Sequence, residues 1–319
     1  MDYGEIIRRA WNITKKYKYL WVFGFILALF GGRGGYSGGN LSNSFQYRFR
    51  KGEIALPLML QHFLFRLQNF IVKNIGLIIS FLILLIILVI VGFILYIIAD
   101  GGLIGCVKNI ESNEENSLKK GFKIGIHYFW RMLGKSLLIS LIAFVIILFF
   151  MLLFTIPFFT LSSSSSYRFL WFIIPLFLIF IILMIPFVVF ITILNDYSSR
   201  FIVIKNNGII RSIKNAFRLI FRNLKHTIMI ALILFAIGIL ISIILLIMFL
   251  IIGGPAALLG FSLYRTGAII PLLILVVIAV LLLIVLSVII NGIRMTFASS
   301  VWTLTFLKLT EDFQEMPVL

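Results

Sequence analysis

The stretch Ser212–Leu234, SIKNAFRLIFRNLKHTIMIALIL, decides the fold. Together with Arg211 just upstream, Lys214, Arg218, Arg222 and Lys225 follow at steps of three or four residues, so the five cations form one stripe along a helix. Ile210, Ile213, Phe217, Ile220 and Leu224 take the opposite side. The apolar run that begins inside this stretch continues from Thr227 to Ile252. It exceeds the ~20 residues a helix needs to cross a hydrocarbon core ~30 Å thick. A basic amphipathic helix that leads straight into such a run predicts a helix lying in the bilayer interface, followed by a membrane span.

The pattern occurs twice more. Ser117–Ser140 reads SLKKGFKIGIHYFWRMLGKSLLIS, and Ile6–Leu27 reads IIRRAWNITKKYKYLWVFGFIL. Aligning Ser117 with Ser212 pairs Lys119 with Lys214, Gly121 with Ala216, Phe122 with Phe217 and Lys123 with Arg218. In the first copy Arg8, Ala10 and Trp11 take the places of Lys214, Ala216 and Phe217. In the second, Lys119, Lys123, His127 and Arg131 step by fours. Any basic loop before a span looks amphipathic by chance; the shared small-aromatic pair and a near-constant period favour a true repeat.

Composition points to the same solvent. Of 319 residues 62% are hydrophobic and 12% charged, about half the charged fraction of a soluble domain. Six apolar runs are candidate spans: 19–32, 75–99, 137–161, 169–194, 227–252 and 268–290. The first is short, and spans with local thinning, extends through its flanking tyrosines or is re-entrant. It also resembles a signal peptide, but Leu29, Phe30, Gly31 and Gly32 form no small-x-small cleavage pattern, so a retained segment is expected. Asp100, Asp196 and Asn291 each close an even-numbered run at near-constant spacing. The expected architecture is all-α: a polytopic transmembrane helical bundle of about six spans, one integral membrane domain over residues 1–319. It is built from three repeats of a cytoplasmic amphipathic helix plus a transmembrane hairpin, at 1–100, 101–196 and 197–310, with a polar tail at 311–319.

Lysine and arginine orient the chain. Lys108, Lys119, Lys120, Lys123, Arg131 and Lys135 lie between the second and third runs, and Arg200, Lys205, Arg211, Lys214, Arg218, Arg222 and Lys225 between the fourth and fifth. The other two turns hold only Arg168 and Arg265. The positive-inside rule puts the basic loops in the cytoplasm, and six spans then put both termini there. The exception is 33–74, external in this scheme despite Arg33, Arg48, Arg50, Lys51, Arg66 and Lys73. Its second half, 54–72, carries Gln61, His62, Arg66, Gln68 and Asn69, which are costly at the bilayer centre, so an interfacial or protein-packed helix is expected. GGRGGYSGG at 31–39 is a connector without the Lys-Ser/Thr ending of a phosphate loop. Ser162–Ser166 is an external turn.

No catalytic constellation emerges. Cys106 is the single cysteine, which excludes an intramolecular disulfide and a cysteine-based zinc cluster. His62, His127 and His226 lie at membrane margins in separate segments, where snorkelling or headgroup contact is expected. Asp100 and Asp196 abut spans and, with Asn291, form a candidate polar cluster, read either as hydrated helix ends or as a cation or proton site. Pro186 should kink its span. The net charge of +17 is read as topology signal and attraction to anionic headgroups, not nucleic acid. The candidate anionic-lipid or partner contacts are Arg211, Lys214, Arg218, Arg222, Lys225, Lys119, Lys123 and Arg131. No cofactor is expected; a protein partner or second copy stays open.

The segment AWNITKKYKYLWVFGFILALFGG (10–32), with the later basic-helix-to-span units, resembles a group of prokaryotic six-span membrane proteins. It is similar to the membrane domain attached to some glycerophosphoryl diester phosphodiesterases. The resemblance implies fold and a prokaryotic plasma-membrane location. Catalysis in the fused proteins belongs to a separate barrel domain for which this chain has no room, so no catalytic residue carries over. Three functions follow in order: a non-enzymatic scaffold, assembly factor or accessory subunit; a transporter or lipid-handling carrier; a membrane-embedded enzyme.

Overall fold

The computed structural model describes residues 1–31, 73–162, 168–266 and 269–314. Among them every element is a helix: α1 (Tyr3–Lys16), α2 (Leu20–Phe30), α3 (Ile75–Glu111), α4 (Leu118–Ser162), α5 (Arg168–Val203), α6 (Ile209–Arg222), α7 (Leu224–Arg265) and α8 (Ile269–Gln314). Five of them, α3, α4, α5, α7 and α8, are long and apolar enough to cross a membrane. The first apolar run forms only the 11 residues of α2, about 16 Å of helix or half a hydrocarbon core. The segment 54–72, most of the glycine connector and most of the serine turn lie outside the described residues.

The long helices overrun their apolar segments. Asp100, Asp196 and Asn291 were expected to terminate spans, yet α3 continues to Glu111, α5 to Val203 and α8 to Gln314. The unit boundaries at 100/101 and 196/197 therefore fall inside helices, and α8 takes in the start of the expected tail. The turns come later, at Asn113 and Asn206, whose φ of 55° and 54° is the left-handed conformation asparagine tolerates. Pro175 and Pro186 sit within α5 without interrupting it; the missing donor costs one bond in an otherwise continuous ladder. The second basic stretch is likewise no separate surface helix. It is the first part of α4, because no proline or turn separates Leu118 from the apolar run that starts at Leu137. The first and third stretches are separate, as α1 and α6, divided from the next helix at Tyr17–Tyr19 and at Asn223.

The core sits where the helices overrun. Ile6, Ala10 and Ile13 of α1, Leu20 and Phe23 of α2, Leu103 and Val107 of α3, Tyr197 of α5, Ala216 and Leu219 of α6, Ile230 of α7 and Val301 and Phe306 of α8 form one buried cluster. The most apolar stretches of the five long helices are at most 11% buried. Glycine lets the backbones cross tightly at the core: a Cβ on Gly102 would lie 2.7 Å from the Gly121 carbonyl, and one on Gly125 would strike the Ile98 carbonyl. Gly121 and Gly125 of α4, at the small-xxx-small spacing of close helix pairs, thus face Gly102 and Gly101 of α3, while Gly105 receives Ile124. Gly24 of α2 meets Gly292 and Thr296 of α8 in the same way. A Cβ on Gly76, by contrast, would meet nothing within 4 Å among the described residues.

The start of α1 and the last turns of α8 share one end of the molecule. Lys308 Nζ donates to Glu5 at 2.7 Å, and Arg9 pairs with Glu111 at 2.7 Å. Phe30 packs on Gly92, so Ile75, seventeen residues earlier on the same helix, lies about 25 Å further from the core along the α3 axis.

Candidate functional site

α6 presents three faces. Ser212, Ala216, Leu219 and Ile220 are buried against the core. Arg211, Lys214, Arg218 and Arg222 are exposed along a second line, with Lys225 continuing it into α7. Between these lies an apolar but exposed line: Ile210, Phe217, Phe221 and Leu224. The single apolar side expected opposite the cations is therefore divided. Ile220 is buried and Ile213 packs against the core, while Ile210, Phe217 and Leu224 face outward. Phe217 and Phe221 stack at 4.6 Å between ring centroids, and each lies 5.9 Å from Phe190 of α5.

The start of α4 repeats this partition. Gly121, Gly125 and Met132 are buried, Lys119, Lys123 and His127 are exposed, and Ile126 and Trp130 are exposed apolar residues between them. Arg131 is held by the chain itself, donating to the carbonyl and side-chain oxygens of Asn206. On α1, Ile6, Ala10 and Ile13 are buried, Arg8 and Lys15 exposed, and Trp11 exposed beside them, 6.0 Å from the Phe297 ring.

The faces differ in how their charge is used. On α1, Arg9 is paired with Glu111, and Glu5 with Lys308, which holds the Glu5 carboxyl below the usual carboxylate range. Asp2 caps the helix by accepting from the amides of Gly4 and Glu5, and those bonds lower its pKa. α6 contains no acidic residue, and Arg211, Lys214 and Arg218 meet no carboxylate among the described residues. His226 is tied inward: its Nδ1 lies 2.6 Å from the Tyr3 hydroxyl.

Asp100, Asp196 and Asn291 are engaged in separate contacts. Asp100 accepts from Ser199 at 3.3 Å, Asp196 lies 4.0 Å from the Arg200 guanidinium, and Asn291 accepts from Arg294 at 3.3 Å. The structure adds two buried cations that the sequence pattern did not single out. Lys135, 1% exposed, donates to Ser199 at 2.7 Å and to the Asn195 carbonyl at 3.3 Å. Arg200, 2% exposed, donates to the carbonyls of Asp196 and Ser299. A signal was present: Lys135 lies one turn past Arg131 on the side that Gly121, Gly125 and Met132 bury, and Arg200 lies one turn past Asp196. Asp196 thus has the Arg200 guanidinium 4.0 Å away, and Asp100 is linked to Lys135 through the Ser199 hydroxyl.

The class that fold and site define is an all-helical protein with five helices of membrane-crossing length and apolarity, joined at one end by a compact core with basic outer faces. Comparison with protein-family models, curated proteins and solved structures finds no match for the chain.

Proposed function

We propose that the chain is a non-enzymatic integral membrane protein, a scaffold, assembly factor or accessory subunit, whose basic helices hold anionic lipid. The observation that carries this is the partition of α6: one face in the core, one exposed and apolar, one exposed and basic without an acidic neighbour on the helix. That is the division a helix needs to sit in a charged interface while fastened to a bundle.

A threefold unit and six crossings belong to the same proposal. Going round α1, α4 and α6 in the same sense, the order is buried, exposed apolar, basic, and Ala10, Gly121 and Ala216 supply the small buried residue in each. Two units turn on a left-handed asparagine. Five long helices alternate in direction from Ile75, while α1 sits at the same end as the close of α8. Counting the short first run, 19–32, as the sixth crossing gives an even number with both termini on one side. The positive-inside rule makes that side the cytoplasm, and the likeness to prokaryotic six-span proteins makes the membrane a prokaryotic plasma membrane.

Two measurements test this reading. Reporters inserted after Ser162 and after Thr310 should report opposite sides of the membrane; the same side for both would sink it. In neutral detergent, added phosphatidylglycerol should raise the thermal midpoint of the purified protein while phosphatidylcholine does not.

A further inference from the structure

We infer that α6 and the wall of α5 form a discrete seat for one anionic phospholipid, with the phosphate on Arg211, Lys214 and Arg218 and an acyl chain against Phe190, Phe217 and Phe221. The inference rests on the lipid-holding reading above and narrows it from a charged surface to one place. Three observations converge on it. The three cations are exposed, lie on one line, and meet no carboxylate among the described residues. Phe217 and Phe221 are 47% and 57% exposed although apolar. Their rings are fastened to Phe190, which lies about 9 Å along the α5 axis from Asp196, toward the apolar end.

That last contact sets the depth. Phe190 belongs to the apolar run of α5, so the aromatic line of α6 lies at the level of hydrocarbon, and the adjoining basic line at the level of headgroups. A phospholipid has this order along its length: anionic phosphate, then acyl chain. Its charge complements the three cations, which a neutral headgroup does not. In each of the other units one basic residue is held within the chain. Arg131 of α4 is bonded to Asn206, and on α1 Arg9 is paired with Glu111.

The test is native mass spectrometry of the full chain, purified in mild detergent and supplied with equimolar phosphatidylglycerol and phosphatidylcholine. One phosphatidylglycerol should be retained per chain. Arg211→Gln, Lys214→Gln and Arg218→Gln together should weaken that retention about a hundredfold, from the usual contribution of three basic residues at an anionic surface. These side chains are exposed, so the fold should survive, checked by an unchanged thermal midpoint without lipid. Lys15→Gln with Lys16→Gln on α1 should leave retention intact. Equal loss in both variants would mean a diffuse surface effect and overturn the seat, as would undiminished retention in the α6 variant. Absence of any lipid preference in the wild type would overturn it too. If phosphatidylglycerol still raised the thermal midpoint, the broader lipid-holding reading would stand without the seat.

Discussion

The two ends of this molecule invert the usual rule of burial. At the apolar end, the long isoleucine and leucine runs of α3, α4, α5, α7 and α8 are almost entirely exposed. At the core end, Thr14, Lys135, Ser198, Ser199, Arg200, Ser212, Thr296, Ser300 and Thr303 are buried. In the membrane proposed above, the difference follows from the solvent each end meets. Lipid tails solvate leucine as well as another leucine does, so apolarity alone does not pull the membrane segments together. Close contact forms instead where small residues admit a neighbouring backbone, and where hydroxyls have local acceptors. Thr296, Ser300, Thr305 and Thr310 each donate to the carbonyl four residues earlier and so enter the core already satisfied.

If that contrast is correct, substitutions at the two ends should differ in proportion to what they leave unpaired or unpacked. The largest effect is expected from Arg200→Ala, which strips buried donors from two carbonyls and leaves Asp196 without its nearby guanidinium. The loss should be about 3–5 kcal/mol, read as a fall in the thermal midpoint of the detergent-solubilised protein. A change under a few tenths would show that the polar layer does not hold the core.

Next comes Gly125→Leu at the crossing of α3 and α4, where the added side chain must displace the Ile98 backbone. Overpacking should cost about 1–3 kcal/mol. Leu85→Ala, at the exposed apolar end, is its counterpart and should leave the same midpoint nearly unchanged. Equal losses at the two positions would erase the distinction between the ends.

The smallest effect concerns the closure of α1 onto α8. Glu5 has a folded pKa below its unfolded value because Lys308 bonds its carboxylate. Its contribution is therefore present above the unfolded pKa of about 4.3 and is lost as pH falls through the lower folded value. The pair is exposed, so the effect should be slight and should fade in salt. Comparing wild type with Glu5→Gln across that acid range at low ionic strength checks it; identical acid limbs would show that the contact contributes nothing.

Much of this was legible from residue order. Uninterrupted apolar runs mark the five long helices, and the three- and four-residue steps of Arg211, Lys214, Arg218 and Arg222 mark a charged helical line. Less legible was where helices stop. A run such as Leu103–Val107 reads as loop when hydropathy alone is followed, because Asp100 and two glycines interrupt the apolar signal. Its backbone bonds continue regardless, and those glycines are the contact surface with α4. Arg131 shows the same limit: its place in the basic series gives no sign that the turn at Asn206 comes close enough to bind it.

What the sequence determined by itself is the local order: helices among the described residues, five of them long and apolar enough to cross a membrane, and basic faces on three. These depend on side-chain polarity and on periods of three to four residues, which neighbours in the chain set. What only the tertiary structure decided is which partners the buried polar residues meet, since Lys135 reaches Ser199 and the Asn195 carbonyl of α5 while Lys123, on the same helix, stays exposed. It also decided which face of α6 was left open. Both depend on where a distant helix comes to rest, and that is set by the packing of glycine against glycine across α3 and α4 and across α2 and α8.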